Sequence, residues 1–204
     1  LGGGAVLRHK KPAARQNIGI DIDADVVRRW KESCREGYDI RQADAYLFLK
    51  SYPFTGDEVV YCDPPYLART RRGGRLYRYE YTDQDHIDLL RLLRQLPCRV
   101  LISGYPDPLY DSLLAGWNTR AFNAKTQAAT ATEKVWFNYA APEKLHDSRW
   151  LGNDFRERER IRRRLATLQR RVSGLHGVER EAFLAWVREA FPSAFGDVEK
   201  GHGK

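Results

Sequence analysis

Asp63-Pro64-Pro65-Tyr66 brings a carboxylate, two ring-locked backbone positions and an aromatic ring together in one short stretch. Each proline fixes its own φ and pushes the residue before it toward extended geometry, so the carbonyls of Asp63 and Pro64 are stiffened acceptors. A fixed carbonyl beside a carboxylate suits an amino group, and the Tyr66 ring offers a flat face for stacking. The run Val59-Val60-Tyr61-Cys62 leads into this motif and reads as a short buried strand. The motif then stands at the C-terminal end of a strand, where open α/β sheets place their ligands. The structural alternative is an ordinary strand-to-loop turn that contains two prolines.

Two acidic strand tips precede the motif. Asn17 to Asp23 alternates and ends in acid, as a parallel strand with a carboxylate at its tip would. Asp21 follows the glycine run Gly2-Gly3-Gly4 by about 20 residues, a spacing suited to ribose hydroxyls, with Asp23 as second candidate. Either acid could instead cap the helix expected over about 25–36, whose apolar face is Val26, Val27 and Trp30. Ile40 to Leu49 repeats the layout of strand, acid and helical turn, with Asp44 either near a ligand or capping the helix. The glycine run itself is either a flexible terminus or a loop whose missing side chains let backbone approach a ligand.

After Tyr66 the composition turns basic and aromatic. Arg69, Arg71, Arg72, Arg75, Tyr77 and Arg78 lie in a glycine-hinged segment that suits phosphate contact combined with stacking, the alternative being a solvated basic loop. Thr82-Asp83-Gln84-Asp85 then signals a helix to about Gln95, in which His86 is read as structural. Arg99 to Tyr105 is a buried strand, followed by a helix over 108–115 and strands over 117–122 and 132–139. Beyond Pro142 the pattern becomes helical. An arginine-dense helix over 154–171 carries the narrow apolar stripe Ile161, Leu165 and Leu168, and a helix over 178–190 is expected to pair with it.

The chain of 204 residues has a formal charge of +8 and a pI near 9.5, a balance that favours a polyanionic partner. The three cysteines, Cys34, Cys62 and Cys98, are widely spaced, which indicates neither a disulfide framework nor a zinc site. A reducing cytoplasm is the expected setting. No apolar run reaches the length of a membrane span, so no membrane partner is expected, and the cysteine spacing leads to no expected metal.

Asp63-Pro64-Pro65-Tyr66 resembles the catalytic tetrapeptide of the amino-methyltransferases, and its surroundings resemble the Dam-like DNA N6-adenine methyltransferases. The resemblance runs from Leu1 to about Tyr139. It implies that Tyr66 stacks on a flipped adenine while Asp63 and the Pro64 carbonyl accept from its N6 amine, with Pro65 stiffening the turn. It also implies that S-adenosyl-L-methionine is the cofactor, held by Gly2, Gly4, Asp21, Asp23 and Asp44, and that double-stranded DNA is the partner. Glu133 to Tyr139 resembles the family's last strand, which is mainly structural with some contact to the target-base pocket.

The expected fold is therefore α/β, a Rossmann-like methyltransferase sheet, mostly parallel, with a C-terminal antiparallel hairpin and a helical tail. A catalytic domain is expected over 1–142 and a basic helical extension over 143–204. The aromatic residue and strand that precede the glycine loop in the resembled family are absent, so a truncated copy is expected, from a restriction-modification or phage setting. N4-cytosine methylation uses the same amine chemistry and is the nearest alternative. A DNA-binding module without catalysis is the alternative from a different class. The oligomeric state and the DNA recognition sequence are not legible in the sequence.

Overall fold

The computed structural model describes residues 1–33, 37–71, 77–125, 130–142, 145 and 147–195. Two units divide the chain, Leu1–Glu143 and Lys144–Lys204. The first is built of alternating strands and helices. A short helix α1 (Ala5–His9) is followed by β1 (Ile18–Asp21), α2 (Ala24–Ser33), β2 (Asp39–Gln42), α3 (Ala45–Ser51), β3 (Val59–Cys62) and α4 (Asp83–Gln95). Then come β4 (Arg99–Gly104), α5 (Pro108–Leu113), β5 (Asn118–Lys125) and β6 (Thr130–Phe137). The second unit contains α6 (Phe155–Ser173) and α7 (Gly177–Ala190).

The fold is the α/β type expected, with parallel pairs joined through helices and an antiparallel hairpin at the end. β1 pairs in parallel with β2, and β3 in parallel with β4. β6 then inserts antiparallel between β4 and β5, giving the order β3-β4-β6-β5. Among the described residues the β1-β2 pair is not hydrogen-bonded to this four-stranded sheet. Each sheet has its own core. Val27 and Trp30 of α2 pack on Ile40 of β2, while Leu89, Leu90 and Leu93 of α4 pack with Val100 and Ile102 of β4 and Trp136 of β6.

Local chemistry explains where the helices begin. The Thr82 side chain accepts from the main chain of Asp85, and Asp85 reaches back to Thr82, so two otherwise unpaired donors are satisfied at the start of α4. Asp107 caps α5 through Leu109 N, with Pro108 at the first helical position, where its missing N–H costs nothing. Asp154 caps α6 through Glu157 N. His86 is fully buried with Nδ1 2.8 Å from the Tyr110 hydroxyl, the structural role expected of it.

One expectation needs correction, and one element was not foreseen. β3 is not a buried strand: Val60 and Cys62 pack on the core, but Val59 is 63% and Tyr61 38% exposed. The continuous apolar run concealed an alternation, because valine and tyrosine are equally at home on either face of a pleated strand. α1 was not anticipated, because the glycine run before it hides its start. Gly4 caps that helix in a left-handed conformation, φ 56°, which glycine adopts without strain.

Leu90 is completely buried against the four-stranded sheet and far in sequence from the Asp63 motif. Leu90→Ala should destabilise the first unit by roughly 2–5 kcal/mol, through lost burial and the cavity left behind. Urea unfolding followed by tryptophan fluorescence measures this.

Candidate active site

β3 and β4 run side by side with Cys62 opposite Ile102, so the residues that follow, Asp63 and Ser103, meet at the same end of the sheet. The Ser103 hydroxyl donates to Asp63 Oδ1 at 2.9 Å and lies 3.3 Å from the Cys62 carbonyl. Tyr61 places its hydroxyl 3.1 Å from Ser103 Oγ. A carboxylate only accepts, so the proton of Ser103 goes to Asp63 and the phenol of Tyr61 donates to Ser103. Ser103 is buried whereas Asp63 is exposed, so the chain of hydroxyls runs from the protein to a carboxylate that faces solvent.

Among the described residues, no group donates to Asp63 Oδ2 or to the Pro64 carbonyl. Tyr66 stands beside these two open acceptors. Its ring meets Tyr105 edge to face, with centroids 4.8 Å apart, and its hydroxyl donates to Glu133 Oε2 at 3.4 Å. Burial, with the nearby charges of Asp63 and Glu133, raises the Tyr66 pKa, so the phenol stays protonated and can donate. Burial also raises the pKa of Glu133, and the charge of Asp63 adds to the shift. Ser103, Tyr61, Tyr105 and Glu133 thus complete the site around the motif. The sequence marked the strand of Glu133 for the target-base pocket, and the strands of Tyr61 and Ser103 without assigning those residues to the site. The small polar tip Ser103-Gly104 was the other available signal, because β4 had to end where β3 ends.

Asp21, Asp23 and Asp44 lie at or just beyond the C-terminal ends of β1 and β2. Asp21 Oδ2 accepts from Leu1 N at 2.9 Å and Gly2 N at 3.1 Å, and Oδ1 accepts from Asp23 N at 2.9 Å. Burial opposes its charge, but these donors prevail and hold its carboxyl below the usual carboxylate range. Asp23 caps α2 through Asp25 N at 2.8 Å. Asp44 caps α3 through Leu47 N at 3.0 Å. For Asp23 and Asp44 the capping alternative is therefore the one seen.

The glycines differ from one another. A Cβ on Gly4 would stand 2.0 Å from the Trp30 ring, so that glycine is explained by internal packing. The same indole donates to the Gly2 carbonyl at 3.0 Å. Beside Gly2 itself, a Cβ would meet nothing within 4 Å, so the backbone there is open to a ligand.

The basic segment is less free than its composition suggests. Arg69 grips Asp107 with a two-pronged pair, 2.8 and 2.6 Å, and also reaches Asp83. Arg71 is forked onto Glu80 at 2.9 and 2.6 Å, with its side chain only 5% exposed and its guanidinium over the Tyr77 ring. These two arginines were expected to reach DNA phosphates. Arg71 is turned inward onto Glu80, whereas Arg69 keeps 43% of its side chain exposed while Asp83 of α4 and Asp107 before α5 hold its guanidinium fork. Arg78 is more exposed and pairs with Asp25 at 3.1 Å and Asp23 at 3.6 Å, which ties the segment after Tyr66 to the tip of β1. Tyr77 and Tyr79 are exposed, and Arg72 and Arg75 lie outside the described residues.

Among the described residues, no cluster of histidine, cysteine and acidic side chains could hold a metal ion. No described helix is long and apolar enough to cross a membrane. No protein-family model and no curated protein matches the sequence. Among solved structures the chain is similar to M. capricolum TrmK in complex with the natural cofactor product S-adenosyl-homocysteine. The identity is 6% and the TM-score 0.38, over 88% of this chain and 80% of that one, a likeness too slight to carry a functional argument.

Glu133 gives a pH test of this geometry. A carboxyl whose folded pKa is raised contributes its stability in full below the unfolded value, 4.5, and loses it as pH rises through the folded value. Glu133→Gln keeps an acceptor for Tyr66 but cannot ionise. The stability of the variant relative to the parent should therefore increase between pH 4 and pH 8, read as a growing difference in urea midpoint.

Proposed function

We propose that the chain is an S-adenosylmethionine-dependent methyltransferase acting on the exocyclic N6 amine of adenine in DNA. The observation that carries this reading is the pair of open acceptors, Asp63 Oδ2 and the Pro64 carbonyl, beside the Tyr66 ring. An aromatic amine delocalises its lone pair into the ring and is a poor nucleophile. Two acceptors that bind its hydrogens favour the pyramidal form, whose lone pair is free to attack. Stacking on Tyr66 fixes the base, and the base must leave the duplex stack to get there. Because Ser103 occupies Oδ1, the amine meets Asp63 through Oδ2 in one orientation, a gain of positioning and electrostatics.

S-adenosylmethionine, when bound, supplies the electrophilic methyl group. Gly2, whose side is open, and Asp21, whose Oδ1 can accept a further bond, would hold it, with Asp44 at the tip of the neighbouring strand. Gly4 and Asp23 would contribute through the shape of the loop and the start of α2. The methyl acceptor's surplus proton leaves through Asp63 Oδ2, the oxygen closest to it in this arrangement. Glu133, raised in pKa and bonded to the Tyr66 hydroxyl, holds the ring that receives the base.

The test is transfer of labelled methyl from S-adenosylmethionine to an adenine-containing duplex by a protein carrying this chain. Transfer is expected, with N6-methyl-2′-deoxyadenosine as the modified nucleoside after digestion, and Asp63→Ala should slow it roughly 100-fold or more. N4-methylcytosine as the product would reassign the substrate base. Salt-sensitive duplex binding with no methyl transfer would favour a binding module. A rate unchanged by Asp63→Ala would remove the motif from the chemistry.

A further inference from the structure

The second unit carries an ordered line of charge that the catalytic reading does not use. α6 contains eight arginines and two glutamates in 19 residues. At 3.6 residues per turn, Arg156, Arg160, Arg163, Arg164, Arg170 and Arg171 fall within one arc of about 120°. The strip runs for about 22 Å along the helix, at a rise of 1.5 Å per residue. All six are exposed, Arg160 and Arg163 with 75% and 82% of their side chains in solvent. Both glutamates lie in the first turn and a half, where they favour the positive end of the helix dipole. Arg160 and Arg163 reach them only at 3.4 and 3.8 Å. Among the described residues, Arg156, Arg164, Arg170 and Arg171 have no ion-pair partner.

The opposite side of α6 carries Ile161, Leu165, Leu168 and Val172, so the arginines are segregated from the apolar stripe. Like charges crowded at this spacing repel one another, and the isolated helix is weakened by them. A polyanion relieves that repulsion. The cations are arginine throughout, with no lysine, and the guanidinium fork matches two phosphate oxygens at once. The apolar stripe is narrow and holds no aromatic residue, unlike the broad tryptophan- and phenylalanine-bearing faces of helices that lie in a lipid surface. A rigid line of charges also suits a rigid line of phosphates.

We infer that this face of α6 binds the sugar-phosphate backbone of duplex DNA, without reading bases. The inference does not rest on methyl transfer. Each phosphate neutralised releases counterions, and log K falls with log salt by about 0.9 per contact. The experiment uses the full chain with a short labelled duplex of arbitrary sequence, titrated by fluorescence anisotropy at several salt concentrations. One variant combines Arg163→Gln, Arg164→Gln and Arg170→Gln. A second removes the same charge off this face, through Arg162→Gln, Arg180→Gln and Arg188→Gln. Glutamine is about as good a helix former as arginine, and far-UV circular dichroism checks that both variants keep their helices.

The on-face variant should bind at least tenfold more weakly at low salt, with a slope shallower by about 2 to 3. The off-face variant should change the slope by less than one contact. Asp63→Ala should leave the slope unaltered, so the failure of the catalytic reading and the failure of this one are separable. Equal losses in the two triple variants, or no loss in the first, would overturn the inference. So would tighter binding of the parent chain to vesicles of anionic lipid or to single-stranded RNA than to the duplex, if the on-face substitutions abolished it.

Discussion

Parallel pairing sets Cys62 beside Ile102, and that register decides that Asp63 leaves its strand next to Ser103. A slip of one residue would present Ile102 or Gly104 to the carboxylate and turn every side chain of β3 to its opposite face. The burial of Val100 and Ile102 against Leu90 and Leu93 is what forbids the slip, since the register that joins Ser103 to Asp63 also fills the core. The site is thus secured by packing some distance from it. Tyr61, exposed on β3, then completes the run of hydroxyls, and its exposure has a purpose that the apolar run alone could not reveal.

β6 ties the second half of the site to the first. It lies antiparallel to β4 with Gly104 opposite Lys134, so Glu133 falls just past the end of β4, near Tyr105 and Tyr66. The ring expected to receive a base therefore rests on a carboxyl from one strand and an aromatic edge from another. The charge of Asp63 adds to the rise in the Glu133 pKa, and the surroundings of the two acids separate their roles. Asp63 is exposed and bonded to a hydroxyl, whereas Glu133 is partly buried and raised in pKa.

The order of elements was legible because hydrophobic runs, proline and capping residues are local signals. α4 spans Asp83–Gln95 as Thr82 and Asp85 announced, and β4 follows Cys98. The motif itself was legible for the same reason. What could not be read was which partner each charged group would choose. Asp44 had an equal claim as a cap and as a ligand, and the structure shows the cap. Arg69 and Arg71 looked like phosphate contacts, yet Arg71 is buried against Glu80 and Arg69, though 43% exposed, is paired with Asp107, through pairings that depend on the chain folding back on itself. Ser103 stands 40 residues from Asp63 in the chain, so nothing near the motif in sequence pointed to it. The second unit differs again, since the arginine face of α6 follows from helical periodicity alone, whereas neither α6 nor α7 buries a residue.

The proposed role of Ser103, orienting Asp63 for an incoming amine, is tested most directly by single-turnover methyl transfer with Ser103→Ala. The variant removes one hydroxyl and leaves the strand pairing in place. The methyl-transfer step should slow about tenfold or more, the scale of a lost hydrogen bond to a charged group, with the dissociation constants for cofactor and duplex unchanged. A methyl-transfer step as fast as the parent's, at saturating cofactor and duplex, would contradict the account.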